Sequence, residues 1–145
     1  MFVADLFGDE RGCGWESEWA LKRRAELAED GVLRRRVAAA LDALLAHSPQ
    51  VRPDKVAALG WCLGGRAALE AAKDTEGLAT RLRCVVSFHG VLDAKPLRPA
   101  HGSMRKGPRV LLLHGDADPF VPDLDLAIAQ LRRHASALFT TVERF

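Results

Sequence analysis

Between an apolar run and a helix-forming run the chain carries Gly60-Trp61-Cys62-Leu63-Gly64-Gly65, a thiol framed by glycines. Lys55-Val56-Ala57-Ala58-Leu59 reads as a buried strand and Arg66-Ala67-Ala68-Leu69-Glu70-Ala71-Ala72 as a helix. A strand that passes at once into a helix must turn within a few residues. The pattern G-x-C-x-G suits such an elbow: the residue at its crest is held in a strained backbone conformation, and side chains at Gly60 and Gly64 are expected to collide across it. Cys62 then stands at a helix N-terminus. The positive end of the helix dipole favours thiolate over thiol there, and the thiolate is the reactive form.

Other readings compete for these residues. A cysteine after a strand is commonly a small buried hydrophobe, and it is the glycine frame that argues for a reactive one. Gly60 to Ala67 also approaches the phosphate loop G-x-x-x-x-G-K-[ST], but Arg66 replaces the lysine and Ala67 the magnesium-binding hydroxyl. The dinucleotide pattern G-x-G-x-x-G fails on spacing.

Composition narrows the classes further. The 145 residues fit one domain, and 48% hydrophobic residues can furnish its core. The net charge is only +2, and the basic clusters Lys22-Arg23-Arg24 and Arg34-Arg35-Arg36 lie in helical patterns beside acidic residues, so they read as solvated faces rather than a nucleic-acid footprint. No apolar run is long enough for a membrane span, and no leader pattern follows Met1. Three cysteines at irregular spacing suggest neither a disulfide framework nor a metal site. A reducing, cytoplasmic setting is the expectation, and it suits a free thiol.

Along the chain, Phe2-Val3-Ala4 reads as the tail of a strand entering a glycine-rich loop that carries Arg11 and Cys13. Glu16 to Glu29 is a helical stretch with Trp15 and Trp19 one turn apart. Asp30 is placed to cap the next helix, in which Leu33, Val37, Ala40, Leu41 and Leu44 form one stripe. After the elbow, Lys73 to Arg81 reads as loop. Arg83 to Phe88 is a β-branched run expected to be covered on both faces, with Cys84 in the core, and it ends at His89-Gly90. Leu92 to Gly107 is a long irregular connection. Val110 to Leu113 is a third strand, ending at His114-Gly115-Asp116-Ala117-Asp118-Pro119-Phe120-Val121-Pro122. Asp123 caps a helix whose Leu124, Ile128, Leu131 and Ala135 share a stripe, and Phe139 to Phe145 alternates as a last strand. This alternation calls for an α/β fold, a parallel sheet with helices on both faces. Ligands bind beyond the carboxyl ends of such strands, where Cys62, His89 and Asp118 all fall.

The segments Ala4 to Gly8, Val56 to Gly65, Val85 to Gly90 and Leu113 to Pro122 together resemble the dienelactone hydrolase family, the cysteine-dependent members of the α/β-hydrolases. The elbow followed in chain order by H-G-x-x-D-x-x-V-P carries the resemblance. It implies a single domain over 1–145 with a partial α/β-hydrolase fold, truncated at both ends. Cys62 would be the nucleophile and Asp118, rather than Asp116, the acid that orients a histidine. The backbone amide of Leu63 would be one oxyanion donor. Arg11, Trp61 and His89 would contribute to substrate binding. The substrate would be a small-molecule ester or lactone with an activated carbonyl; no metal, cofactor, nucleic acid or membrane is implied, and the state would be monomer or homodimer.

The order nucleophile, acid, histidine puts the family's histidine after the strand that follows the last helix, just past Phe145. His134 is the only histidine after Asp118, and the end of a helix suits it poorly for that role; His114 reads as a satisfied structural histidine. The strands and the loop that give the second oxyanion amide would precede Met1. An alternative to the hydrolase is therefore a binding or interaction protein that keeps the fold without its base. A third is a fragment whose bare sheet edges promote association.

Overall fold

The structure, a computed structural model, describes residues 1–8, 17–29, 31–73, 77–92, 107–134 and 140–145. The chain divides into two compact units, Met1–Gln50 and Val51–Phe145.

The first unit is a helical pair. Helix α1 (Glu18–Ala28) starts at Ser17, whose side chain accepts from the Ala20 amide. Helix α2 (Val32–His47) starts at Gly31, whose φ of +74° is the left-handed conformation that favours glycine. The proposed cap Asp30 lies outside the described residues, as do Trp15, Arg11 and Cys13. Leu33 and Leu41 of the α2 stripe are buried, together with Ala20 and Leu27 of α1. Phe7 meets Trp19 edge-on at 5.6 Å, Arg23 lies over the same indole at 5.6 Å, and Arg36 donates to the Leu6 carbonyl at 2.8 Å. Phe2–Ala4 is not a strand. A strand exists only where a neighbour completes its ladder, and no described residue does so here.

The second unit holds a four-stranded parallel sheet in the order β1-β2-β3-β4, with β1 Ala57–Trp61, β2 Cys84–Phe88, β3 Arg109–His114 and β4 Thr140–Arg144. Helix α3 (Leu63–Lys73) joins β1 to β2, followed by the short α4 (Leu78–Arg81); α5 (Leu124–His134) joins β3 to β4. Lys55 belongs to a 3-10 turn (Pro53–Lys55), so the first strand runs two residues further than its apolar stretch, and the helix begins directly after Cys62. The polar run before β2 ends in helix α4 rather than in loop throughout.

One face of the sheet is closed. The register places Gly60, Ser87 and Leu112 side by side, and below them Ala58, Val85 and Val110. Helix α3 packs on β1 and β2, burying Ala67, Ala68, Leu69, Ala71 and Ala72. On the other face Leu59 and Trp61 are exposed, and Val86, Phe88, Leu111 and Leu113 are half-buried. Cys84 shares that face and is half-buried rather than in the core, because strand alternation points it away from α3. On α5, Leu124, Ile128 and Leu131 are buried as their spacing requires, and the Leu126 amide donates to the Asp123 carboxylate at 2.9 Å. No described helix is long and apolar enough to cross a membrane.

Candidate active site

β1 ends at Trp61 and α3 begins at Leu63, so Cys62 alone makes the turn. Its φ is +51°, in the left-handed region that L-residues rarely occupy. Two hydrogen bonds hold it there: its amide donates to the Phe88 carbonyl at 3.1 Å, and its carbonyl accepts from the Arg66 amide at 3.0 Å. The backbone is thus tied to β2 on one side and to α3 on the other, while the residue itself is exposed. Leu63 follows as the first helical residue, and amides of a first turn have no partner within their own helix. Amides so placed can donate to a charge that develops on an atom bound to Cys62.

The glycines divide their work differently from the expectation. A Cβ on Gly60 would stand 2.2 Å from both the carbonyl carbon and oxygen of Gly64, so nothing larger fits. A Cβ on Gly64 would meet nothing within 4 Å, because that position points away from the strand. The second constrained glycine is Gly65, whose Cβ would come within 2.7 Å of Ser87 Oγ and 2.9 Å of Gly90 Cα. Helix α3 therefore seats its first turn directly on β1 and on the end of β2.

His89 follows β2 and is the other non-glycine residue with positive φ among the described residues, at +38°. Its amide donates to the Leu113 carbonyl at 2.8 Å, and the residue is exposed at the carboxyl end of the sheet. Trp61 stacks on its register neighbour Phe88, ring centroids 5.1 Å apart and 9° from parallel, with 58% of the tryptophan exposed. Trp61 thus lies beside the elbow on the sheet face opposite Gly60.

The two acids after β3 differ in setting. The Asp118 side chain is 11% exposed; one carboxylate oxygen accepts from the Phe120 amide at 2.9 Å, and the other lies 3.2 Å from Nε2 of His114. Backbone bonds from the Asp118 amide to the Gly115 carbonyl and from the Val121 amide to the Asp118 carbonyl fix the turn. Asp116 is exposed and bound by Arg144, which also reaches Asp125 at 2.7 Å. These two carboxylates raise the Arg144 pKa. Asp116 is therefore engaged at the surface, whereas the Asp118 side chain is largely buried.

His114 departs from the expectation of a satisfied structural histidine. It is fully buried, yet neither ring nitrogen has a hydrogen-bond partner among the described residues; the contact to Asp118 is close but out of line. Burial lowers its pKa, opposed by the Asp118 charge and reinforced by His89.

The strand ends set the spacing of these groups. β1 and β3 flank β2, so their ends lie two strand spacings apart, about 9.6 Å. A third group standing between Cys62 and Asp118 would link them. His134 is the last residue of α5 and its side chain lies outside the described residues. The end of β4 is tied to the loop that carries Asp116 and Asp118: the Phe145 amide donates to the His114 carbonyl at 3.3 Å and the Asp116 amide to the Phe145 carbonyl at 3.0 Å. Among the described residues no cluster of three or more His, Cys, Asp or Glu could hold a metal ion.

The model of the dienelactone hydrolase family matches residues 2–139. An uncharacterized protein of Caenorhabditis elegans is 36% identical over 93 residues, covering 63% of this chain and 54% of that protein. A solved dienelactone hydrolase-like promiscuous phosphotriesterase from metagenomic libraries superposes with a TM-score of 0.74 at 31% identity, over 98% of this chain and 56% of the other. A second solved structure, m3DLH, gives a TM-score of 0.71 at 34% identity, over 97% of this chain and 56% of its own. The chain thus spans about half the length of these relatives.

Proposed function

Because the chain belongs to the dienelactone hydrolase family, we propose that it is the part of a hydrolase that carries the nucleophile and the acid, cleaving an activated ester or lactone through Cys62. The observation that carries this reading is the backbone of Cys62: an exposed thiol at φ +51°, bonded to β2 and α3, at the start of a helix.

In the proposed reaction a histidine takes the thiol proton, and the thiolate attacks the carbonyl carbon. The resulting oxyanion accepts from the Leu63 amide; as it collapses the C–O bond breaks and the leaving oxygen takes the proton from the histidine, and water then releases the acyl group from sulfur. Asp118 orients the histidine. That histidine follows β4, whose last residues hydrogen-bond to the acid loop at His114 and Asp116. His89 and Trp61 are assigned to the wall of the pocket, on the ends of β2 and β1, and Arg11 to substrate contact. A free thiol nucleophile suits a reducing compartment, so a cytoplasmic setting goes with this reading.

The test is turnover of p-nitrophenyl esters by the protein as its cell makes it, against Cys62→Ala. A loss on the order of a thousandfold or more in kcat is expected. Equal turnover by the two would reject Cys62, and ligand binding without turnover in the unmutated protein would favour a binding protein that retains the fold.

A further inference from the structure

His114 ends β3 with its side chain completely buried, on the sheet face that also carries Leu112, Ser87 and Gly60. That location removes it from contact with any substrate at the carboxyl end, so it is not a base for Cys62. Neither ring nitrogen is hydrogen-bonded among the described residues, a costly condition for a buried polar group and one that calls for an explanation. The explanation lies 3.2 Å away. Nε2 stands against the Asp118 carboxylate oxygen that the Phe120 amide does not bind.

A carboxylate offers about four acceptor positions, so Asp118 can receive Phe120 N–H, a buried imidazole and a further donor together. Its Phe120 bond alone leaves rotation about the bond to the carboxylate open. A second contact at the other oxygen removes that freedom, and a small turn of either group brings the Nε2–H into line. We propose that His114 is a positioning residue for Asp118, holding the acid's free oxygen from the buried side of β3 through its Nε2–H. This rests on the reading of Asp118 as the triad acid. Burial favours the uncharged ring over the opposing pull of the Asp118 charge, with His89 adding to burial, so the support works as a hydrogen-bond donor and does not neutralise the acid.

Two measurements decide it. In ester hydrolysis, His114→Leu should lower kcat about tenfold, as loss of outer-shell partners does at other sites, with KM little changed. His114→Gln, whose amide nitrogen falls near the position of Nε2, should restore most of that loss. A folded His114→Leu protein with unchanged kcat, or a glutamine variant as impaired as the leucine one, would overturn the proposal. The second measurement needs neither turnover nor the leucine variant: ring nitrogen NMR of the unmutated protein. An Nε2–H tautomer of His114 whose signal moves in Asp118→Asn supports the pair, and an Nδ1–H tautomer overturns it. Cys62→Ala, run alongside, separates failure of the hydrolase reading from failure of this pair, since the NMR result does not depend on the thiol.

Discussion

Gly60 lies so close beneath Gly64 that a Cβ added to it would stand 2.2 Å from the Gly64 carbonyl carbon and oxygen. The atoms in the way are backbone of the helix that carries the elbow, so they cannot rotate aside as a side chain would. Gly60→Ala should destabilise the fold by about 3 kcal/mol, at the upper end of typical overpacking costs. Gly64→Ala, with open space around its Cβ and a helical position, should instead gain about 0.5 kcal/mol. Urea unfolding of the two variants checks the contrast, and equal losses would mean that the elbow is not built on Gly60.

Cys62 and Cys84 sit in different settings, and the proposed role of Cys62 predicts that they react at different rates. Cys62 is exposed at the start of α3, while Cys84 is half-buried in the middle of the sheet at the first position of β2. Iodoacetamide at neutral pH should modify Cys62 faster than Cys84 or Cys13, by tenfold or more on the order expected for a thiol at a helix N-terminus. Peptide mapping with time reads the rates, and equal rates would remove the case for an activated thiol.

Protonation of His114 predicts how stability depends on pH. Its folded pKa lies below the ordinary 6.5 because burial disfavours the charged ring, with Asp118 opposing and His89 adding to the effect. Between the folded pKa and 6.5 the unfolded chain binds more protons than the folded one, so stability is fully present above 6.5 and falls as pH drops through that interval. His114→Gln should flatten this part of the curve in denaturant titrations made from pH 7.5 down to about pH 5, a range set around the histidine reference value. A curve unchanged by the substitution would contradict a depressed pKa.

Arg144 pairs with Asp116 and Asp125, joining the end of β4 to the acid loop and to the start of α5. The pairs are exposed, so their attraction is screened by salt. Arg144→Ala should speed amide exchange at Asp116 and Phe145, the two amides that bond β4 to that loop, while leaving the centre of β3 unchanged. High salt should produce part of the same effect in the unmutated protein. No change at either amide would show that the backbone bonds alone hold this end.

The order of elements was legible because each leaves a local pattern. Val85-Val86 and Val110 to Leu113 announce strands, and the spacing of Leu124, Ile128 and Leu131 announces the stripe of α5. Cys62 was legible because its glycine frame records a steric demand. Gly64 was misread for a related reason: two glycines look alike in sequence, and only the direction of each missing Cβ tells which one is constrained. Gly65 escaped notice because the atoms that crowd it, Ser87 Oγ and Gly90 Cα, belong to β2 and the residues just after it, more than twenty positions further along the chain. The buried His114 and the Arg144 ion pairs depend on how residues distant in sequence, or turned by a tight loop, meet in space. Nothing in the neighbouring sequence of Arg144 marks Asp116 and Asp125 as its partners.

The most direct test of the central claim, that Cys62 forms a covalent bond to the acyl group, is to quench the protein with acid during turnover of p-nitrophenyl acetate and map its peptides by mass. An acetyl thioester is expected on the peptide containing Cys62, absent from Cys62→Ala. Continued hydrolysis with no acyl group on Cys62, or acetyl spread equally over Cys62 and Cys84, would contradict it.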